Sequence, residues 1–441
     1  MSLIFTLLLA GSLFSFEMKD SRIYPGTERT ISVWVPDEYN AEEPACLMVR
    51  FDRLGNLPEV AAALIANGEI PVCIAIGIEP GKIYSEDHKK VIRYNRSNEF
   101  DRTDGRMATF LETEVLPELR RQRTPDGRPI LISEKASDRA TIGASSGGIA
   151  AFNAAWERPD LFSRVYSMIG TFVPFRYGDQ FPGIIRKTEP KRLRIFLQDN
   201  KDDTWNPIFG SWYDANVLML KALQFAGYEL DFQWDEGRHS AKNGNDIMAY
   251  VLKWLWEGWP DVVEKGISGN KSLNGIVSPD SEWKLEQENI APGTILKSDG
   301  DGGVKLLPAK KKRYFNPLEA TYPGGAHCAV AKEGSCWIDN YIIREGKKKW
   351  GQEFYCLHSP ARQIAFDEKG YLYCATDKGI QICDHNGRVR VILGIDAGPV
   401  ESIAFAGRKL YAISGGRLWS RELLVAGATP SSPEPKRERQ G

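Results

Sequence analysis

The sequence predicts a mostly parallel α/β sheet with helices on both faces, followed by an all-β part. Two observations predict this division. Strand-like and helix-like stretches alternate as far as about residue 260, and the stretch VCIAIGI is apolar throughout, as expected of a strand covered on both faces. From about residue 275 short strands recur without a convincing helix, and one unit repeats at about 40 residues, the period of propeller blades.

Each element of the first part follows from its own apolar pattern. Short apolar or alternating runs are typical of strands, whereas longer runs with helical spacing are typical of helices. In chain order the predicted strands are ISVWVP, CLMVRF, VCIAIGI, DRATIGAS, RIFLQD and LDFQWDEG. The predicted helices are LPEVAAALIANG, MATFLETEVLPELRRQ, GGIAAFNAAWERPDLF, VLMLKALQFAG and IMAYVLKWLWEGW.

The domain borders follow from changes in composition. A chain of 441 residues is too long for one ordinary core, so two domains are expected. We predict an α/β domain over 17–262, a polar, glycine-rich linker over 263–274, and a β-rich partial propeller over 275–425. Residues 426–441 are rich in proline, serine and charge, which predicts a disordered tail.

The first 16 residues have the pattern of a signal peptide. The apolar run LIFTLLLA has the length of a signal core, and Ala10-Gly11-Ser12 is a small-residue cleavage pattern. The basic residues that usually precede such a core are missing, so a simple apolar chain start is the other reading. We therefore expect a secreted or periplasmic protein.

Composition excludes several classes of function. The net charge is −1, which gives no electrostatic case for binding nucleic acid or an anionic membrane. No segment approaches the ~18 to 20 apolar residues of a membrane span. The seven cysteines lack the paired Cys-x-x-Cys spacing of a zinc site, and no metal site is predicted.

The stretch Gly143-Ala144-Ser145-Ser146-Gly147 matches Gly-x-Ser-x-Gly, with a strand before it and a helix after it. In that context a serine sits on a tight turn where small neighbours prevent clashes, which makes it a candidate nucleophile. A chain with 41 glycines also produces chance matches, so the strand–turn–helix context carries the prediction.

A serine nucleophile needs a base, and the base needs an orienting acid. Of the five histidines, only His239 follows Ser145 within the α/β part, in the polar loop between the last strand and the last helix. Elimination therefore favours His239, although an idle surface histidine is the other reading. The acid is expected after the strand RLRIFLQ, where Asp199, Asp202 and Asp203 compete. The residues alone do not separate Asp202 from Asp203.

Several stretches together resemble the enterochelin-esterase-like group of α/β-hydrolases, which is related to carbohydrate esterase family 1. They are CLMVRFD, NRSNEFDRTD, LETEVLPELR, GASSGGIAAFNAAWERPDLFSRVYSMIGTF, RIFLQDNKDD, GSWYDANVLMLKALQFAGYELDFQWDEGRHS and LKWLW. The resemblance covers about residues 25–258 and keeps the order of the motifs. It implies a serine ester hydrolase that uses neither a metal nor an organic cofactor.

The resemblance assigns roles to matching positions. Ser145 would be the nucleophile and His239 the base. The group's strand-end pattern Gln-Asp-Gly-x-x-Asp selects Asp203 as the acid, but Asn200 stands where the group has glycine, which keeps Asp202 as a rival.

The resemblance also implies an oxyanion hole and a substrate-binding region. The N–H of Ser146 and one near Arg53 would bind the oxyanion, although relatives have Asp-Gly where this chain has Asp52-Arg53. The altered pair puts a bulky cation beside the pocket. Arg96, Trp205 and Trp212 are candidate substrate-binding residues, and Glu99 belongs to the same stretch as Arg96; each also fits a structural role.

The second part resembles the closing blades of regucalcin/gluconolactonase propellers, best in FDEKGYLYCATDKGIQICDHNGRV. Arg362 lies where those proteins place a metal-binding carboxylate, so we expect no lactonase metal site there. The segment amounts to about half of a six-bladed propeller and would leave open sheet edges. The α/β domain or a second chain could cover them, so a homodimer is one hypothesis.

The leading hypothesis is an exported serine esterase. Its expected substrates are acetyl or feruloyl esters of polysaccharide, or a siderophore-type ester. The alternative is an impaired hydrolase scaffold that binds a carbohydrate or another ligand, suggested by Arg53 and Arg362. A metal-dependent lactonase in the second part is disfavoured by its missing acidic ligands.

Overall fold

A computed structural model describes residues 10–299, 302–308 and 318–428. The chain divides into two compact units, Met1–Ile185 with Pro190–Ile267, and Arg186–Glu189 with Ser268–Gly441. The second division, between residues 267 and 268, falls inside the predicted linker over 263–274. The predicted domain borders themselves stay predictions.

The first unit contains twelve described strands and nine α-helices. The strands are β1 (Ser12–Met18), β2 (Arg29–Val35), β3 (Cys46–Phe51), β4 (Cys73–Ile78), β5 (Lys82–Tyr84), β6 (Val91–Tyr94), β7 (Arg139–Ala144), β8 (Arg164–Met168), β9 (Arg194–Asn200), β10 (Trp205–Asn206), β11 (Gly210–Ser211) and β12 (Glu229–Asp235). The helices are α1 (Leu57–Ala66), α2 (Arg96–Phe100), α3 (Arg106–Phe110), α4 (Leu116–Arg121), α5 (Ser146–Glu157), α6 (Phe181–Lys187), α7 (Trp212–Phe225), α8 (Lys242–Asp246) and α9 (Met248–Trp256). A π-helical turn, Leu111–Val115, joins α3 to α4.

Eight of these strands form one sheet in the order β1-β2-β4-β3-β7-β8-β9-β12. The six strands β4, β3, β7, β8, β9 and β12 are parallel to one another, whereas β2 is antiparallel to both β1 and β4. The carboxyl ends of β3, β7, β9 and β12 therefore lie at one edge, where ligands bind in open α/β sheets. The prediction of a mostly parallel α/β sheet is confirmed.

The central strands are buried on both faces, which explains their continuous apolar sequences. Every residue of β3 and β4 is buried. Residues of α1 and α9 pack in one apolar cluster with Met48 and Ala75 of these strands. On the sheet, α5 lies against β3, β7 and β8. Burial of this kind contributes ~25 cal/mol per Å² of apolar surface.

The strand β1 overlaps the predicted signal peptide over 1–16, of which residues 1–9 lie outside the described residues. It pairs with β2 along its whole length, from Ser12 opposite Val35 to Met18 opposite Arg29. Before it, Gly11 adopts φ +124°, and a Cβ there would lie 2.5 Å from the carbonyl oxygen of Val35. The signal peptide stays a prediction. Cleavage after residue 16 would remove most of the strand β1.

The second unit is built from antiparallel strands, which confirms the predicted all-β part. After the short helix α10 (Lys271–Asn274), the described strands are β13 (Lys284–Gln287), β14 (Ile295–Ser298), β15 (Val304–Leu307), β16 (Leu318–Thr321), β17 (His327–Ala331), β18 (Trp337–Arg344), β19 (Lys347–Cys356), β20 (Gln363–Phe366), β21 (Leu372–Thr376), β22 (Gly379–Cys383), β23 (Val389–Leu393), β24 (Val400–Ala406), β25 (Lys409–Ser414) and β26 (Arg417–Glu422).

They form three described four-stranded sheets and one two-stranded sheet. The orders are β16-β17-β18-β19, β20-β21-β22-β23, β13-β26-β25-β24 and β14-β15. Four-stranded antiparallel sheets are the units of a propeller, but the propeller itself stays a prediction. Of the predicted tail over 426–441, residues 429–441 lie outside the described residues. No helix in the described part of the chain is long and apolar enough to cross a membrane.

Candidate active site

Ser145 occupies the tight turn between β7 and α5. Its backbone adopts φ 58° and ψ −122°, an unusual conformation for a residue with a side chain, and its N–H donates to the carbonyl of Met168 at 2.9 Å. A Cβ at Gly143 would lie 2.0 Å from the carbonyl oxygen of Gly147. A Cβ at Gly147 would lie 3.2 Å from that of Phe51. The two glycines are therefore what allows the strand and helix to close this turn.

The structure brings Ser145, His239 and Asp203 together at the carboxyl edge of the sheet. Nε2 of His239 lies 2.8 Å from Oγ of Ser145, and Nδ1 lies 2.6 Å from Oδ1 of Asp203. The carboxylate contacting His239 is that of Asp203, whereas Asp202 is exposed and its N–H donates to the carbonyl of Gly237. The arrangement is one in which a hydroxyl can pass its proton to an imidazole oriented by a carboxylate.

The carboxyl of Asp203 lies in an enclosed environment that favours its charged form. Burial raises the pKa of Asp203, but hydrogen bonds with His239, Asp199 and the N–H of Thr204 outweigh it, so the pKa lies below its ordinary value. Burial, together with the hydrogen bond and charge of the neighbouring Asp203, raises the pKa of Asp199 to about 9. The two neighbouring carboxyls are therefore shifted in opposite directions.

Asn200 fixes the loop that carries His239. Its amide nitrogen donates to the carbonyls of Arg238 at 2.7 Å and Ser240 at 3.0 Å, the residues on either side of the histidine. Its amide oxygen accepts from Nε2 of Gln198 and from Nδ2 of Asn243, both at 3.0 Å. The asparagine that departs from the resembling group's glycine is thus a structural link within the site.

The predicted oxyanion donors lie where the chain leaves β7 and β3. Ser146 begins α5, and the first N–H groups of a helix have no partner within the helix. Asp52, which precedes Arg53, has a φ of 70°. The exposed side chain of Arg53 pairs with Glu79, with 3.1 Å between Nε and Oε1. The cation that was expected beside the pocket is therefore held by a carboxylate.

Arg96 is engaged by the loop after β3. Its Nε and Nη2 donate to the two carboxylate oxygens of Asp52 at 3.0 and 2.8 Å, a bidentate pair. Glu99 instead pairs with Arg29, and both side chains are fully buried. Arg96 and Glu99 therefore serve two different ion pairs. A role of Arg96 in substrate binding stays a prediction.

The two predicted tryptophans differ in environment. Trp212 is buried at the start of α7, and its ring lies 6.1 Å from that of His239 in an edge-to-face arrangement. Its Nε1 donates to Oγ1 of Thr171, which also lies 3.3 Å from Oγ of Ser145. Trp205 is 70% exposed on β10.

An aromatic row that the sequence did not reveal extends away from His239. The ring of Phe175 lies 5.3 Å from that of Trp212, and the ring of Phe209 lies 4.4 Å from that of Phe175. Ile208 and Tyr177, from the same two segments, are 77% and 68% exposed. The row offers an apolar surface beside the reactive groups, as ligand sites commonly do.

Two further features bear on ligand binding: possible metal ligands and a cleft away from the catalytic set. Among the described residues no three His, Cys, Asp or Glu side chains form a group that could hold a metal ion. Arg362, in the second unit, pairs with Asp377. A cleft of about 580 Å³ lies at the amino-terminal edge of the sheet, lined in part by Arg164, Arg194 and Glu257, and contains none of the predicted site residues.

Comparison with known proteins gives one family and several similar structures. The family model described as "Putative esterase" matches residues 23–256. A ferulic acid esterase is 16% identical over 56% of this chain and 98% of its own, with a TM-score of 0.44. An enterobactin esterase from Shigella flexneri is 17% identical over 56% of this chain and 59% of its own, with a TM-score of 0.42. The feruloyl esterase module from Clostridium thermocellum is 12% identical over 57% of this chain and 90% of its own, with a TM-score of 0.41.

The family match lies within the first unit. The chain spans less than two thirds of the enterobactin esterase, and the family match ends before the β-rich unit begins. No curated protein matches the chain significantly.

Proposed function

Since the chain belongs to this esterase family and is a carboxylic ester hydrolase, we propose that it cleaves esters with Ser145 as nucleophile, His239 as base and Asp203 as the orienting acid. One observation carries the proposal. Nε2 of His239 lies 2.8 Å from Oγ of Ser145 while Nδ1 lies 2.6 Å from Asp203. Both distances are those of hydrogen bonds, so a proton has a direct route from the hydroxyl to the imidazole.

The reaction proceeds through an acyl-enzyme. Oγ of Ser145 attacks the ester carbonyl carbon as its proton passes to Nε2 of His239, and Asp203 stabilises the imidazolium. The backbone N–H groups of Ser146 and Arg53 stabilise the oxyanion. The alcohol leaves with the proton from His239. Water, deprotonated by His239, then attacks the acyl carbon and releases the carboxylic acid and free Ser145.

The proposed substrate is an ester with an aromatic or extended apolar group, as in a feruloyl ester of polysaccharide. The row of Trp212, Phe175 and Phe209 beside His239 supports this. Acetyl esters of polysaccharide and siderophore-type esters use the same chemistry and remain the competing substrates. The alternative is an impaired hydrolase scaffold that binds a carbohydrate or another ligand.

The test measures hydrolysis of p-nitrophenyl acetate and methyl ferulate by the full chain. S145A is expected to lose at least about 10³-fold in kcat, and D203N about 10²-fold or more, with unchanged melting temperatures. D202A is the matched control and should keep wild-type kcat. A chelator should change nothing. S145A with wild-type turnover would refute the nucleophile, and D202A as damaged as D203N would refute the assigned acid.

Two further proposals concern the whole chain. We propose that the protein is exported, and the intact mass of protein recovered from outside the cytoplasm would reveal whether residues 1–16 are removed. We also propose that the β-rich unit mediates a homodimer. Light scattering of the purified chain should give twice the chain mass of 49.5 kDa. A single-chain mass across micromolar concentrations would contradict it.

A further inference from the structure

The side chains of Asp199 and Asp203 form a buried carboxyl pair behind His239. Asp199 is fully buried in β9, and the side chain of Asp203 is also fully buried. The two carboxyls lie within hydrogen-bonding range of each other. Two ionised carboxylates this close, and screened from water, repel each other strongly.

Each carboxyl has one oxygen with a donor and one without. Oδ1 of Asp203 accepts from Nδ1 of His239 and the N–H of Thr204, while Oδ1 of Asp199 accepts from the N–H of Asn200. Oδ2 of both groups is buried and has no donor at good hydrogen-bond geometry among the described residues, and Asp199 has only a weak contact with the side-chain amide of Asn216. A single proton placed between the two carboxyls satisfies both oxygens at once.

We propose that Asp199 carries this proton and donates a hydrogen bond to Asp203, which makes Asp199 a positioning residue for the catalytic set. The inference rests on the proposed function of Ser145, His239 and Asp203. The proton belongs on Asp199 because the partners of Asp203, an imidazole and an N–H, stabilise a charged carboxylate.

The electrostatics agree with this assignment. Burial, together with the hydrogen bond and charge of Asp203, raises the pKa of Asp199 to about 9. The groups facing Asp199 are Asp203 from the loop after β9 and the neutral Asn216 from α7. His239, from the loop after β12, faces Asp203, with 2.6 Å between its Nδ1 and Oδ1 of that carboxylate.

The proposed hydrogen bond fixes the orientation of Asp203 from the side opposite His239. With Oδ2 held by Asp199, Oδ1 stays directed at Nδ1 of the imidazole. Because Asp199 is neutral, the pair presents a single negative charge to the imidazolium that forms during the reaction.

The test compares D199A and D199N with wild type by hydrolysis of p-nitrophenyl acetate between pH 5 and pH 10. D199A loses the donor and is expected to lower kcat about tenfold, with KM within about twofold. D199N keeps a neutral donor of the same shape and should restore most of that loss. D202A, in the loop that follows β9, is the control. Wild-type kcat in D199A, or D199N no better than D199A, would overturn the proposal.

A second measurement needs no activity and follows the melting temperatures of wild type and D199N against pH. An unfolded Asp loses its proton near its ordinary pKa of about 4, whereas folded Asp199 keeps its proton up to about pH 9. Between these two pH values the folded state therefore holds one proton more than the unfolded state. Wild type should therefore lose stability relative to D199N as pH rises through this window, and the difference should stop growing above it. A constant difference would refute the protonation.

The two measurements distinguish a failure of the proposed function from a failure of the proposed proton on Asp199. If wild type hydrolyses no ester, the proposed function fails, while the melting comparison still decides whether the carboxyl pair holds a proton above pH ~4. If D199A does not fold, the melting temperatures of D199N and wild type against pH still test whether the carboxyl pair holds a proton.

Discussion

Replacing Asn200 by alanine removes the side chain that joins the end of β9 to the loop carrying His239. Four hydrogen bonds disappear together: two to the carbonyls of Arg238 and Ser240, and two from the amides of Gln198 and Asn243. Asn200 is only 1% exposed, so water does not easily replace these partners.

The expected losses follow from the number of bonds. At about 1 kcal/mol net for each hydrogen bond, N200A should lower the free energy of unfolding by ~2 to 4 kcal/mol. The imidazole of His239 would also lose the restraint on both sides of its backbone. If this costs about 1.4 kcal/mol of activation free energy, kcat falls about tenfold while KM changes little.

The assay combines urea unfolding with hydrolysis of p-nitrophenyl acetate. N200G, which restores the glycine of the resembling group, should be at least as damaging as N200A. The matched control is N206A, since the side-chain oxygen of Asn206 accepts from the N–H groups of Ile208 and Phe209, within its own loop. N200A within about 0.5 kcal/mol of wild type, with unchanged kcat, would refute the reasoning.

The remaining predictions concern the supports of the site. E99Q leaves the guanidinium of Arg29 buried without its charged partner and should cost ~3 to 5 kcal/mol in urea unfolding. R96M frees the carboxylate of Asp52 and should lower kcat about tenfold, measured at saturating ester, because the loop with the second oxyanion donor loses its bidentate restraint. G143A places a methyl group 2.0 Å from a carbonyl oxygen and should abolish soluble folded protein, as judged by expression and circular dichroism.

Matched controls make these outcomes decisive. D246N removes an exposed ion pair with Lys242 and should change stability by less than about 0.5 kcal/mol. G183A adds a methyl group where nothing lies within 4 Å. If E99Q and D246N lower the free energy of unfolding equally, the buried pair of Glu99 and Arg29 is not the support expected here. If G143A folds as well as G183A, the turn at Ser145 does not require glycine at position 143. R96M with wild-type kcat would show that the ion pair between Arg96 and Asp52 does not contribute to catalysis.

Much of the fold was predictable because its signals are local. Continuous apolar runs predicted β3 and β4, and alternation with helices predicted the parallel sheet. The strand β8 was missed, since RVYSM is short and mixed and follows directly on a predicted helix. The predicted helix over MATFLETEVLPELRRQ is interrupted by a π-helical turn, which apolar periodicity does not reveal.

The candidate site was predictable only in part, for a related reason. Ser145 carries a local turn motif, and His239 followed from its order in the chain. Asp202 and Asp203 are adjacent, so only the path of the loop decides which carboxylate faces the imidazole. The roles of Asn200 and Asp199 depend on contacts between separate loops, and no pattern within either loop encodes such contacts.

The distance along the chain between the reactive groups has a consequence for refolding. Ser145 and His239 meet although they are 94 positions apart, and Asp203 and His239 are 36 apart. Contacts between distant positions form late and slow folding, because the intervening chain must first be ordered. After dilution from denaturant, ester hydrolysis is therefore expected to recover later than the helical signal in circular dichroism. The rate at which turnover returns would then report the last stage of folding.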